Sequence, residues 1–235
     1  EKVFVTVKLR LIPLLYWGYN PLHQENEQKN VVVSWSGGKD CCLALHRVLE
    51  EGYHVFCLLS MVSRKDKRNR LHGIPLEVLQ MQADSLGIPL KLVDTDNGYE
   101  QSLQTELSRL NKDSGVNAAI FGSLYQEEDR TWNEKIAIRS GLEPLFPVWG
   151  SSDESLRLLR EFVSLGYRAK VCRASEKFLD QSWVDRILDD SFINDIRDQK
   201  ICPMGEFGEY HTFVVDGPIF SKKIEITQSE VVLNS

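Results

Sequence analysis

Val31-Val32-Val33-Ser34-Trp35-Ser36-Gly37-Gly38-Lys39-Asp40 joins three β-branched residues to a glycine turn, and Cys41 to Leu49 after it reads as a helix. A strand, a glycine turn and a helix in that order make an anion site. The backbone N–H groups at the helix start and the aligned peptide dipoles both favour negative charge. Gly37 and Gly38 carry no side chain, so phosphate oxygens can reach that backbone, and Lys39 adds a mobile positive charge. The commoner phosphate loop needs four residues between its first Gly and a Gly-Lys-Ser/Thr end. That spacing is missing, which excludes an ordinary kinase or GTPase.

Outward from this turn the elements repeat. Val55 to Leu59 is a second continuous apolar strand, with Ser60 at its carboxyl end, and Leu76 to Leu86 is a helix ending at Gly87. Leu90 to Val93 predicts a third strand, Tyr99 to Asn111 a helix and Ala118 to Gly122 a fourth strand. Trp132 to Gly141 then predicts a helix and Pro144 to Val148 a fifth strand. Strand-helix units with all-apolar strands imply a parallel sheet covered on both faces, with ligands at the carboxyl ends of its strands. The fold class is therefore α/β. After Trp149-Gly150 the pattern shifts to an amphipathic helix over Asp153 to Leu165, a strand over Arg168 to Arg173 and a helical stretch from Trp183 to Arg197. Residues 31–150 read as one domain and 151–235 as a smaller one.

Residues 1–30 fit poorly with this pattern. Val3 to Val7 alternates like a strand, Leu9 to Trp17 is an apolar run broken at Pro13, and Pro21 to Asn30 is polar linker. The apolar run is too short to span a membrane. The segment reads as an arm packing on the domain or on a neighbour, or as a piece foreign to it.

The chain has 235 residues, 42% of them hydrophobic and 26% charged, enough for a substantial core and ordinary for a globular protein. A net charge of -6 gives no electrostatic footprint for nucleic acid. Five cysteines, at 41, 42, 57, 172 and 202, form no C-x-x-C pair, which removes a zinc ribbon, weakens sulfur transfer and points to a reducing cytoplasm. Cys41 and Cys42 sit at a helix start, where a thiolate is favoured, or are small packing residues.

Three further clusters carry chemistry. Five of the seven residues from Arg64 to Arg70 are basic, a loop that draws in phosphates or an acidic substrate, or is merely solvated. His72, directly after it, is a hydrogen-bond partner for nucleotide or substrate, or an incidental loop histidine. Gly122 allows close backbone approach at a strand end, and Glu127, Glu128 and Asp129 then either neighbour Mg²⁺ or favour the next helix's positive end. Finally, Gly205-Glu206-Phe207-Gly208-Glu209-Tyr210-His211-Thr212 is a tight loop expected to present Glu206, Glu209 and His211 together. Carboxylates with an imidazole suit binding an amine, positioning Mg²⁺ or moving a proton, unless the loop is a structural hairpin.

Ser36 to Asp40 after a hydrophobic strand resembles the pyrophosphate loop (PP-loop) of the N-type ATP pyrophosphatases, which split ATP into AMP and pyrophosphate while adenylating a substrate. Joined with Gly122 to Glu134 and Gly205 to Thr212, it makes the chain from Val31 to Ile226 resemble the diphthine-ammonia ligase family of that superfamily. The resemblance implies a Rossmann-like parallel sheet of the adenine nucleotide alpha-hydrolase type with a smaller C-terminal α+β domain that recognises the acceptor. It implies ATP and Mg²⁺, ammonia, and a carboxylate acceptor, the diphthine of elongation factor 2 or a small molecule; a homodimer is allowed. Nucleotide binding then falls on Ser34, Ser36, Gly37, Gly38, Lys39, Asp40, Ser60, Gly122 and Ser123, with Asp40 as a Mg²⁺ ligand. Catalysis falls on Lys39, Asp40, Glu206, Glu209 and His211. Phe207 and His211 stand where diphthamide-forming members favour Gly and Glu, which resembles a prokaryotic branch proposed to act on other acceptors, including corrinoid-salvage intermediates.

Two other classes compete. A tRNA-modifying ATP pyrophosphatase predicts a basic surface and paired cysteines, both lacking. A non-catalytic nucleotide-binding module fits poorly with Lys39-Asp40 and the acidic C-terminal loop.

Overall fold

The computed structural model describes residues 29–96 and 98–225. The expected strand at Val3 to Val7 and the arm to Gln28 lie outside them. In chain order the elements are β1 (Asn30–Ser34), α1 (Lys39–Glu50), β2 (His54–Ser63), β3 (Arg68–Asn69), α2 (Leu76–Leu86), β4 (Leu90–Asp94) and α3 (Tyr99–Ser114). They continue with β5 (Ala118–Ile120), α4 (Glu127–Arg139), β6 (Glu143–Leu145), α5 (Ser155–Ser164), β7 (Arg168–Ala174), α6 (Asp190–Arg197) and β8 (Tyr210–Asp216).

β1 pairs in parallel with β2 on one side and β5 on the other; β4 continues outward from β2 and β6 from β5. The result is the expected Rossmann-like α/β sheet. The chain runs outward through β1, β2 and β4, then returns to β5 across β1, so the carboxyl ends of β1 and β5 flank a crevice where the order reverses. Side chains alternate across the sheet. Val31 and Val33 pack with α1 and α2, whereas Val32 packs with Leu103, Leu107 and Leu110 of α3 and Ile136 of α4. The first of these cores continues without a break into Leu158, Phe162, Phe192 and Val214, so the C-terminal elements are built directly onto α1 and α2. There β7 and β8 form an antiparallel pair.

Several expected boundaries move for identifiable reasons. β2 extends to Ser63 because β3, drawn from the basic run, folds back and pairs with Val62 and Ser63. Val62 also pairs with Asp94, so β3 lies on the β1 side of β2, just beyond the end of β1. α4 starts at Glu127 rather than Trp132, with Glu127, Glu128 and Asp129 filling its first turn, where carboxylates favour the dipole. β6 ends at Leu145 because Trp149 N–H closes a turn onto Phe146 O. The stretch from Trp183 to Arg197 is helical only from Asp190; Asp185 has φ +69, and Asp189 caps α6 by accepting Phe192 N–H at 2.8 Å. Among the described residues no helix is long and apolar enough to cross a membrane.

Candidate active site

The turn after β1 is held from behind by buried side chains. Ser36 O accepts from Asn69 Nδ2 at 2.7 Å, and Gly37 O accepts from Gln82 Nε2 and Val214 N, both at 2.9 Å. With both carbonyls satisfied on that side, the turn is fixed against α2 and β8. Gly37 has φ +83, and a Cβ there would stand 2.7 Å from Gln82 Oε1. The second glycine serves a neighbouring ring, since a Cβ on Gly38 would lie 2.4 Å from Cε1 of His72. α1 begins at Lys39, whose N–H donates to Thr212 Oγ1 at 3.1 Å.

Lys39 is 2% exposed, with Nζ 3.0 Å from Asp40 Oδ2 and 5.1 Å from the centre of the Tyr210 ring. Among the described residues, Asp40 Oδ1 is buried and has no partner. From the other side of the switch point, Gly122 brings the end of β5 against α1; a Cβ there would stand 2.8 Å from Cys41 N. Ser123 Oγ donates to Asp129 and accepts from Asn133 Nδ2 at 3.2 Å.

The C-terminal loop closes the site. Gly205 and Gly208 adopt φ +67 and +82, and Glu206 O accepts from Gln126 Nε2 at 2.5 Å, tying the loop to the segment before α4. Glu209 is 2% exposed and turns inward, its two oxygens accepting Cys202 N–H at 3.0 Å and Phe207 N–H at 2.8 Å. It organises the loop, and only Glu206 and His211 of the expected trio reach the cavity.

That cavity has a volume of about 380 Å³. Its walls carry Ser34, Ser36, Lys39, Asp40, Gly122 and Ser123 from the sheet ends, Glu206 from the C-terminal loop and His211 from the start of β8. Of the expected nucleotide set, Gly37, Gly38 and Ser60 lie off the wall: the two glycines face Gln82 and His72, and Ser60 is buried in β2, its Oγ without a partner among the described residues. His72 and Asp129, each given two readings from the sequence, lie on the wall, and Tyr99, Trp132 and Asn133 join it without having been singled out. Burial and the nearby Asp40 push the Glu206 carboxyl up to about 8, so at neutral pH it is mainly protonated. Burial lowers His72 and His211 to about 4, helped by the charge on Lys39, so both imidazoles are neutral. Burial also raises the Cys41 thiol, and its Sγ–H donates to Gly38 O at 3.2 Å. Of the two readings of Cys41, thiolate or packing residue, the structure therefore supports the packed, protonated cysteine.

A parallel sheet whose Ser-Gly-Gly-Lys-Asp turn opens a helix at the switch point defines a Rossmann-like α/β protein of the PP-loop type. The comparison with family models narrows the class. Residues 29–144 match the diphthamide synthase N-terminal domain and residues 154–234 the diphthamide synthase C-terminal domain, and the chain belongs to that family. Among its relatives are proteins named diphthine–ammonia ligase. The human one is 25% identical over 228 residues, covering 85% of this chain and 84% of the relative. That of Danio rerio is 24% identical over 229 residues, covering 85% and 87%. The Schizosaccharomyces pombe protein is 27% identical over 222 residues, 85% of this chain but 36% of that longer relative.

Proposed function

We propose that this protein is an ATP-dependent ligase that forms AMP and pyrophosphate while joining ammonia to a carboxylate, with diphthine, named in its relatives, as the acceptor. The observation that carries the reading is the shared cavity. Lys39 at the helix start, Glu206 from the C-terminal loop and His211 from the start of β8 line one wall system between the ends of β1 and β5. Nucleotide phosphates and an acceptor held there meet in the same space.

In the first step an acceptor carboxylate oxygen attacks the α-phosphorus, the bond to the bridging oxygen breaks, and pyrophosphate leaves with the electron pair. Lys39 stabilises the charge that grows on that leaving group, and the low-dielectric surroundings strengthen its effect. In the second step ammonia attacks the acyl carbon, AMP leaves with the electron pair, and the surplus proton on nitrogen passes to His211, an uncharged base on the wall. Glu206, mainly protonated, donates a hydrogen bond to the acceptor. Asp40 Oδ1, buried and unpartnered, is the atom that fits Mg²⁺. Among the described residues no three His, Cys, Asp or Glu side chains cluster to hold a metal, which suits an ion bound chiefly by substrate phosphates and one or two carboxylates. Such an ion would neutralise phosphate charge. The five unpaired cysteines fit a reducing cytoplasm.

Phe207 and His211, which stand where diphthamide-forming members favour Gly and Glu, favour a second reading in which the same chemistry serves another acceptor, such as a corrinoid-salvage carboxylate. One assay tests both. Purified protein with ATP, Mg²⁺, ammonium chloride and either acceptor should yield one AMP and one pyrophosphate per amide; production of ADP overturns the proposal.

A further inference from the structure

We propose that His72 and His211 form an ammonia-binding corner of the cavity, with Nε2 of His72 accepting an N–H of the incoming nitrogen. This rests on the ligase reading above. His72 stands on the loop between β3 and α2, and its Nδ1 lies 2.9 Å from the carbonyl oxygen of Thr212 on β8. A carbonyl only accepts, so Nδ1 carries the ring hydrogen and Nε2 carries a lone pair. The residue is 9% exposed, lines the cavity, and its Nε2 has no protein partner among the described residues. A nearly buried residue that lines a ligand cavity and keeps an unpaired acceptor selects what can sit against it.

Phosphate oxygens are themselves acceptors and are repelled by that lone pair, so this corner is not a phosphate subsite. A small N–H donor fits. The His211 ring is 4.8 Å away between centroids and tilted by 41°, giving the same ligand a second imidazole. The charge on Lys39 lowers the proton affinity of both rings, and the same charge favours neutral ammonia over ammonium. The close seat against Gly38 locks the His72 ring to the turn that receives the nucleotide, so the nitrogen is held beside the bond it must form.

His72→Asn separates this role from a structural one, because the amide can still donate to Thr212 O but has no counterpart of Nε2. In the full chain, acceptor-dependent exchange of pyrophosphate into ATP needs no ammonia, so it should fall much less than the rate of amide formation at limiting ammonium chloride. The KM for ammonium chloride should rise about tenfold, the scale of one lost hydrogen bond. As a measurement free of any variant, long-range ¹H–¹⁵N spectra of the wild-type imidazoles should show the Nδ1–H tautomer at His72. Its Nε2 resonance should shift on adding ammonium chloride at alkaline pH, with no acceptor present. An unchanged ammonium KM, a parallel loss of exchange, the opposite tautomer or an unmoved Nε2 resonance would each overturn the assignment. Absence of exchange in the wild type marks failure of the ligase reading itself, and this corner falls with it.

Discussion

The hydroxyl of Thr212 accepts the backbone N–H of Lys39 at 3.1 Å, across 173 residues of sequence. The first residue of α1 is thereby set by the C-terminal strand, and the turn after β1 is held to β8 by Val214 N–H on Gly37 O as well. Thr212 is fully buried, so Thr212→Val, nearly the same shape, leaves that N–H without a partner in a dry place. The expected cost is about 1–3 kcal/mol of stability, read from urea unfolding, with a several-fold rise in the KM for ATP.

Gly122 marks the closest approach of β5 to α1. The atoms a methyl group would meet there are backbone, Cys41 N at 2.8 Å and Asp40 C at 2.9 Å, and cannot swing aside. Gly122→Ala should therefore push α1 away from the cavity, costing roughly 1–3 kcal/mol and weakening ATP binding measured by calorimetry. Gly115→Ala is the contrast. It has φ +64 at the end of α3 with open space around it, so the variant should lose about 1–2 kcal/mol through backbone strain alone and bind ATP normally.

The sheet was legible because Val31 to Val33, Leu58 to Leu59 and Ala118 to Ile120 are continuous apolar runs between turn signals, the mark of strands covered on both faces. The cavity wall was legible only where its residues are close in sequence, as with Ser34, Ser36, Lys39 and Asp40 in one stretch and Glu206 and His211 in another. Asn69, Gln82 and Thr212 hold the turn from distant elements, and their roles depend on packing that no local pattern reveals. Gln82 did leave a trace, a polar residue beside Leu79 and Ala83 on the buried stripe of α2. Glu209 misled for the opposite reason: a carboxylate next to a glycine suggests a ligand, yet burial turned it onto backbone N–H groups.

Lys39 and Asp40 form a pair in which the lysine is buried, so removing one partner strands the other. Lys39→Met should lower the rate of AMP formation by about 10²–10³-fold, the usual loss for one donor to a developing anion. It should also destabilise the fold, because the Asp40 carboxyl loses the ammonium it pairs with. The double variant Lys39→Met with Asp40→Asn should recover part of that stability and none of the activity. Denaturation midpoints beside single-turnover rates test this; equal stability of the single and double variants would show that the pair contributes nothing to the fold.

The titrating groups of the cavity give stability a pH profile with two opposed slopes. Glu206 rises from an ordinary 4.5 to about 8 on folding, so the folded protein holds a proton that the unfolded chain releases. Its contribution is fully present below about pH 4.5 and is lost as pH climbs through 8. His72 and His211 fall from 6.5 to about 4, so their contribution is present above 6.5 and is lost as pH drops through 4. Between 4.5 and 6.5 the slopes work against each other, and from 6.5 to 8 only Glu206 acts, so wild-type stability should decline over that upper window. Glu206→Gln keeps a neutral side chain of the same shape and should flatten the decline while leaving the acid limb in place. His72→Asn should soften the acid limb alone. Urea midpoints measured from pH 4 to 9 on the three proteins decide the matter, and a wild-type curve that rises from pH 6.5 to 8 would mean that Glu206 is ionised in the folded site.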